Sequence, residues 1–127
     1  MWSYKYKPNY YEIIYTKVNY LLFNYRMDRF VLKFLWLDKS IAVCLDQKIG
    51  GRTTPLTEYF FWPQKDAWEE MKNFLEKKTW ISQSDSIVIL NQITEVINCW
   101  QEKDSLSNKD LNKLRERFPN SLFIGYN

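Results

Sequence analysis

Basic side chains beside a pair of glycines form the first pattern in the sequence that could do chemistry. The stretch KIGGRTT places Lys48 and Arg52 on either side of Gly50 and Gly51. Backbone amides of a glycine turn can bind an anion, and the two cations would neutralise its charge. The stretch matches neither GxxxxGKS/T nor GxGxxG, so it does not predict a nucleotide site. A phosphate of an RNA backbone fits better, and glycines required only by loop geometry are the alternative.

A second group of cations lies in the third predicted helix. Lys109, Lys113 and Arg117 follow one another at intervals of four residues, and Arg115 lies with Arg117 near the carboxyl end. Two interpretations stay open. These residues form either a solvated face that the helix dipole favours or a cationic ridge that lies along a phosphate backbone.

The first 33 residues carry the excess of positive charge. The chain has a net charge of +3, and this segment holds six basic residues against two acidic ones. Within it and at its end, Lys5, Lys7, Arg26 and Arg29 are predicted RNA contacts. Tyrosine and tryptophan side chains are interleaved with them from Trp2 to Tyr25. Such rings can stack on unpaired bases, or they can pack on a neighbouring protein.

Patterns for catalysis or metal binding are few. The chain has no histidine, the commonest general base and metal ligand. Asp46 and Glu58, in or beside predicted strands, could be half-buried neighbours, and an acid/base dyad there is the enzyme hypothesis. Cys44 and Cys99 lie far apart within apolar runs, which predicts reduced, core-like thiols. We therefore predict a protein that is not an enzyme and has no cofactor, metal or small-molecule substrate.

The elements that must position these residues predict an α+β fold with a small antiparallel sheet and about three helices. Two β-rich runs, about 30–37 and 41–47, flank a polar turn and predict a hairpin. The stretch KIGGRTTP is predicted as a loop, a third strand as about 56–62, and 122–126 could return as an edge strand. Between them the hydrophobic period becomes helical. The predicted helices begin near Ala67, after Ser82 or Ser84, and at Ser107.

The length of 127 residues predicts one domain. Composition shifts near Met27, which predicts an aromatic and basic N-terminal arm at 1–27 and an α+β body at 28–127. No apolar run is long enough to span a membrane, so no membrane partner is expected. The aromatic run from Tyr59 to Trp62 is predicted to fill the core where a strand meets a helix. Exposure of Phe61 or Trp62 would instead favour base stacking.

Three stretches resemble the small-subunit plastid-specific ribosomal protein 3 family, which plastids share with cyanobacteria. They are LKFLWLDKSIAVCLDQ at 32–47, TTPLTEYFFWPQKDAWEEMKNFLEKKTWIS at 53–82 and LNQITEVINCWQ at 90–101. The resemblance covers residues 28–104 and implies a structural, non-catalytic component of the chloroplast 30S subunit. Such a component contacts small-subunit ribosomal RNA and neighbouring small-subunit proteins and supports plastid translation in the stroma.

The resemblance supplies no catalytic residue and no list of RNA contacts, so the basic residues named above are inferred from charge. A composition rich in Lys, Asn, Ile and Tyr is typical of an AT-rich organelle genome, which predicts that the protein is organelle-encoded. The alternative function is a non-catalytic protein-interaction module that docks on a larger assembly through its N-terminal arm.

Overall fold

The computed structural model describes residues 29–105 and 108–125. The predicted boundary between arm and body lies just before the first of these residues, so it stays a prediction. The described strands are β1 (Phe30–Trp36), β2 (Ile41–Ile49), β3 (Arg52–Pro55), β4 (Phe60–Trp62) and β5 (Leu122–Ile124). The described helices are α1 (Ala67–Lys77), α2 (Gln83–Gln101) and α3 (Asn108–Arg117), with a 3-10 turn at Lys103–Ser105. This arrangement of a five-stranded sheet and three helices confirms the α+β class.

The first hairpin follows directly from the β-branched and aromatic residues of its two strands. β1 and β2 pair antiparallel, with Phe30 opposite Gln47 and Trp36 opposite Ile41. The amide of Leu37 donates to the carbonyl of Ser40 at 3.0 Å and closes the polar turn. The prediction of a hairpin at about 30–47 is confirmed.

The glycine pair closes a second hairpin, and the prediction of a loop there is wrong. β2 continues to Ile49, and β3 returns antiparallel with Ile49 opposite Arg52. Gly50 and Gly51 have φ values of 58° and 67°, and positive φ at both central residues is what a tight two-residue hairpin requires. The predicted third strand is also shorter, because only Phe60–Trp62 pairs with β2.

The sheet is mixed, which corrects the prediction that it is antiparallel. β5 pairs parallel to β1, with Phe34 opposite Phe123. The predicted edge strand therefore exists, but in the other direction. Parallel pairing requires a long crossover connection, and the helices between β4 and β5 supply one. The strand order is β3–β2–β1–β5, with β4 also on β2.

Local capping signals set the starts of α1 and α2. Asp66 accepts from the amide of Glu69 at 3.1 Å, and Ser82 accepts from the amide of Asp85 at 3.1 Å. Their inward faces are those that the periodicity predicts, with Met71 and Leu75 buried in α1 and Ile89, Ile93, Val96, Ile97 and Trp100 buried in α2. The carboxylate of Asp85 binds Arg29 at 3.2 Å.

The two faces of the sheet have different environments. The helices pack on the face formed by Phe30, Leu32, Phe34, Ile41, Val43 and Leu45, and these side chains join one core with α1, α2, Leu114 and Phe118. The register assigns the opposite side chains to what we call the outer face: Val31, Lys33, Leu35, Ala42, Cys44, Asp46, Phe61, Leu122 and Ile124. Its centre is buried, whereas Phe61, Leu122 and Ile124 at its rim are exposed.

Candidate nucleic-acid interface

Three of the predicted RNA contacts meet at one end of the sheet, and we call them the cationic edge: Arg29, Lys48 and Arg52. Arg29 directly precedes β1, and its carbonyl accepts from the amide of Lys48 at 2.7 Å. Arg52 begins β3, across the glycine turn from the end of β2. All three residues are exposed. The pairing of β1 with β2 brings Arg29 beside Lys48, and the second hairpin brings Arg52 to the same end of the sheet.

Arg29 has a close acidic partner. Its guanidinium lies 3.2 Å from the Asp85 carboxylate, and its side chain is 60% exposed. The Asp85 side chain is only 12% exposed, so the exposed part of the pair is the guanidinium. The same guanidinium lies 5.5 Å from the centroid of the Phe30 ring. Its remaining N–H groups can therefore bind a phosphate while the contact with Asp85 is kept.

An exposed tryptophan lies beside the cationic edge, and the sequence reasoning did not single it out. Trp80 stacks on Phe30 with ring centroids 6.1 Å apart and an interplanar angle of 20°. The available signal was the run KKTW, in which a large ring follows two lysines after the periodic pattern of α1 has ended. A tryptophan outside the helical period is not required by a helix–sheet core.

The predicted cationic ridge lies on a different part of the molecule. Lys113, Arg115 and Arg117 are exposed on α3, and Arg117 forms an ion pair with Glu95 of α2. Burial raises the pKa of Glu95, and the nearby Arg117 opposes that shift. Lys109 belongs to the backbone of α3, but its side chain lies outside the described residues, as does all of Lys5, Lys7 and Arg26. Their roles in RNA binding stay predictions.

The two cationic groups are separated along α2. Asp85, which binds Arg29, and Glu95, which binds Arg117, are ten residues apart in that helix. At 1.5 Å per residue their backbones are about 15 Å apart. Because of this separation, a strand of RNA would contact the cationic edge and the ridge at different phosphates.

The predicted carboxylate dyad does not form. Glu58 is exposed, whereas Asp46 is buried and its carboxylate lies 2.5 Å from the ammonium of Lys33. The Cys44 thiol lies 3.9 Å from the other Asp46 oxygen. The hydrogen bond to Asp46 raises the pKa of Lys33, and burial raises the pKa of both Cys44 and Tyr59. All three groups therefore favour their protonated forms.

These shifts predict a loss of stability at alkaline pH. The native state holds protons on Lys33, Cys44 and Tyr59 more tightly than the unfolded chain, whose groups titrate near their ordinary values of 10.5, 9.0 and 10.0. Their contribution is complete below about pH 9 and disappears as the pH rises through the native values. Urea midpoints measured from pH 7 to 11 should fall above pH 9. The variant Cys44→Ala/Tyr59→Phe should fall less steeply; an equal decline in both would contradict the assignment.

Other functional classes find little support in the described residues. Across 29–105 and 108–125, no group of three or more Cys, Asp or Glu side chains converges as metal ligands do. No helix in that part of the chain has the length and hydropathy needed to cross a membrane. Both cysteines are free, Cys44 buried and Cys99 half-buried, in agreement with the predicted thiols.

The prediction that the aromatic run fills the core is confirmed at Trp62 and is wrong at Phe61. Trp62 is buried in the core, and β4 ends at that residue. Phe61 is 38% exposed and lies on the outer face opposite Ala42. The condition that would favour base stacking is therefore met by one ring of the run.

Comparison with known proteins gives consistent matches. The profile of the family described as plastid and cyanobacterial ribosomal protein (PSRP-3 / Ycf65) matches residues 56–103. A protein of Euglena stellata named small ribosomal subunit protein cS23 is 67% identical over 79% of this chain and 99% of its own length. A protein of the same name from Gracilaria tenuistipitata var. liui is 50% identical over 80% of this chain and 100% of its own length. A Synechococcus protein named probable small ribosomal subunit protein cS23 is 46% identical over 78% of this chain and 98% of its own length.

Proposed function

Because the chain belongs to the plastid and cyanobacterial ribosomal protein family (PSRP-3 / Ycf65), we propose that it is a structural component of the chloroplast 30S subunit that binds ribosomal RNA. The observation that carries the proposal is its 67% identity to a small ribosomal subunit protein along nearly the whole of that relative. In this role the protein supports plastid translation in the stroma without catalysing a reaction. We further propose that it is organelle-encoded, as its composition indicates.

The cationic edge is the part of the described surface that best fits a phosphate backbone. Lys48 and Arg52 are exposed on either side of a tight turn at the end of the sheet. Phosphate contacts of this kind supply affinity and position rather than sequence specificity. Lys113, Arg115 and Arg117 of α3 are proposed as a second contact, together with Lys109 and with Lys5, Lys7 and Arg26 of the arm.

A salt titration of a charge-reversed variant tests the cationic edge. The double variant Lys48→Glu/Arg52→Glu should bind small subunits more weakly, and the slope of log K against log salt should become shallower by about one for each phosphate that the variant no longer binds. The matched control is Lys39→Glu/Lys65→Glu, which reverses two exposed lysines elsewhere. Equal slopes for the two variants would remove the cationic edge from the RNA surface.

A neighbouring small-subunit protein is proposed to contact the rim of the outer face. Phe61, Leu122 and Ile124 are between 38% and 50% exposed there, and apolar side chains of this size suit a protein surface better than a phosphate backbone. The same observation supports the alternative function, a protein-interaction module, with a proposed contact on the sheet in addition to the N-terminal arm. The arm remains the other candidate for that contact.

Substitutions at the rim separate a protein contact from an RNA contact. The double variant Leu122→Asp/Ile124→Asp should reduce retention on small subunits, with a salt slope no shallower than that of the wild type, because every phosphate-binding side chain is still present. Leu37→Asp, at an apolar side chain that is 40% exposed in the turn after β1, is the control and should retain binding. Retention of both variants at the wild-type level would remove the rim from the interface.

A further inference from the structure

Trp80 is exposed to an extent that the fold does not require. It is 48% exposed, whereas the other four tryptophans within 29–105 are buried or half-buried. Its neighbour Ile81 is buried in the core, so the backbone could have turned the larger ring inward only at the expense of Ile81. A large aromatic ring held at the surface is a common feature of sites that bind bases or proteins.

The Trp80 ring is held in a defined position. It stacks on Phe30, which is 1% exposed and is anchored in the core by β1. The turn that carries Trp80 is closed by two hydrogen bonds, from the amide of Lys78 to the carbonyl of Leu75 and from the amide of Ile81 to the carbonyl of Lys78. Because one side of the ring rests on Phe30, its accessible side faces solvent. A ring ordered before binding loses little entropy when a ligand stacks on it.

Two basic residues, Arg29 and Lys78, lie near this ring. The Arg29 guanidinium lies over the same Phe30 ring on which Trp80 stacks, at 5.5 Å from its centroid. Lys78 precedes Trp80 by two residues, and its ammonium lies 5.3 Å from the centroid of the Phe74 ring. The opposing charge is the carboxylate of Asp85, which is 12% exposed and binds the exposed Arg29 at 3.2 Å.

We propose that Trp80 is a stacking site for an unpaired base of RNA, with Arg29 and Lys78 binding the adjacent phosphates. The inference rests on the proposed function and adds to it the chemical class of the ligand. A base stacks on an indole whatever its identity, because every base has a π-face, and cations at the edge of the ring then neutralise the backbone. Two basic residues beside one exposed ring favour a ligand that combines bases with backbone phosphates over a protein partner.

Oligonucleotides with and without bases test the stacking site. The full-length protein is titrated with a fluorescein-labelled octamer of adenylate and with an abasic octamer of equal charge, and anisotropy is measured. The wild type should bind the adenylate octamer about 5- to 100-fold more tightly, as expected for stacking of one base. Trp80→Leu should remove this preference and keep the salt slope. Leu37→Ala, at an exposed apolar side chain just after the other end of β1, should keep the preference.

Each other outcome overturns the stacking site. Equal binding of the two octamers by the wild type would do so, as would a preference that survives Trp80→Leu. If Trp80→Leu abolishes small-subunit retention while its preference for bases is unchanged, the ring binds a protein. A wild type that shows no base preference but still sediments with small subunits would refute the stacking site alone. Failure to sediment would refute the proposed function itself.

Discussion

Replacing Lys33 with methionine should lower the free energy of unfolding at neutral pH by about 3–5 kcal/mol. Lys33 is the charged partner of Asp46, whose side chain is 1% exposed and whose carboxylate lies 2.5 Å from the ammonium. Removing the ammonium leaves a carboxylate buried among Val31, Cys44 and the strands beside it. The thiol is only a weak hydrogen-bond donor, so it cannot replace a cation.

Two further variants isolate the cause of that destabilisation. Lys33→Met/Asp46→Leu should recover most of the stability, because replacing a whole buried ion pair with apolar groups is often neutral. Lys72→Met removes one partner of the exposed pair with Glu76 and should cost no more than about 0.5 kcal/mol. Urea unfolding of all three variants measures these differences. A decrease of less than about 1 kcal/mol for Lys33→Met would show that Asp46 is solvated.

Phe34→Ala should destabilise the protein by about 3–5 kcal/mol, because it opens a cavity at the centre of the helix-facing side of the sheet. Phe34 is fully buried, and its ring stacks on Phe123 with centroids 5.3 Å apart. The substitution therefore removes a core side chain and also the main side-chain contact across the parallel pair of β1 and β5.

Phe61→Ala is the matched control for this cavity. It removes the same side chain from the outer face, where the ring is 38% exposed and far less of its area is newly exposed to solvent on unfolding. Its cost should be about 1 kcal/mol. Chemical denaturation followed by circular dichroism measures both values. Equal destabilisation at the two positions would contradict the assignment of the helix-facing side as the core.

Elements with local causes could be predicted from the sequence. The hairpin of β1 and β2 follows from two β-rich runs around a polar turn, and α2 begins after Ser82 because the hydroxyl of that residue accepts from the amide of Asp85. The buried faces of α1 and α2 repeat at the helical period. These signals lie within a few residues of the structure that they specify, and no tertiary contact is needed to interpret them.

Elements that depend on contacts between distant parts of the chain could not be predicted from the sequence. The direction of β5 depends on a crossover through three helices and on a side-chain contact, Gln92 to Ser121, between distant segments. The second hairpin was missed because glycines with positive φ are typical of both loops and tight turns. Only the pairing of β3 with the end of β2, beyond Gln47, distinguishes a tight hairpin turn from a loop here.

The sequence indicated which basic residues are candidates for the interface, but it did not indicate how they are arranged in space. Lys48 and Arg52 are adjacent in sequence to the glycines, so their proximity could be inferred. Arg29 joins them only because β1 and β2 are paired, and Arg117 is separated from them because Glu95 holds it further along α2. Trp80 had no periodic signal, and its position depends on Phe30, fifty residues away.

Sedimentation of the full-length protein with small ribosomal subunits from its own source tests the central proposal most directly. The subunits are separated on density gradients over a series of salt concentrations, and the protein is quantified in each fraction. We expect it to travel with the small subunit at low salt and to be released progressively as salt rises, since competing ions displace the basic side chains from phosphates. Absence of the protein from the small-subunit fraction even at low salt would contradict the account.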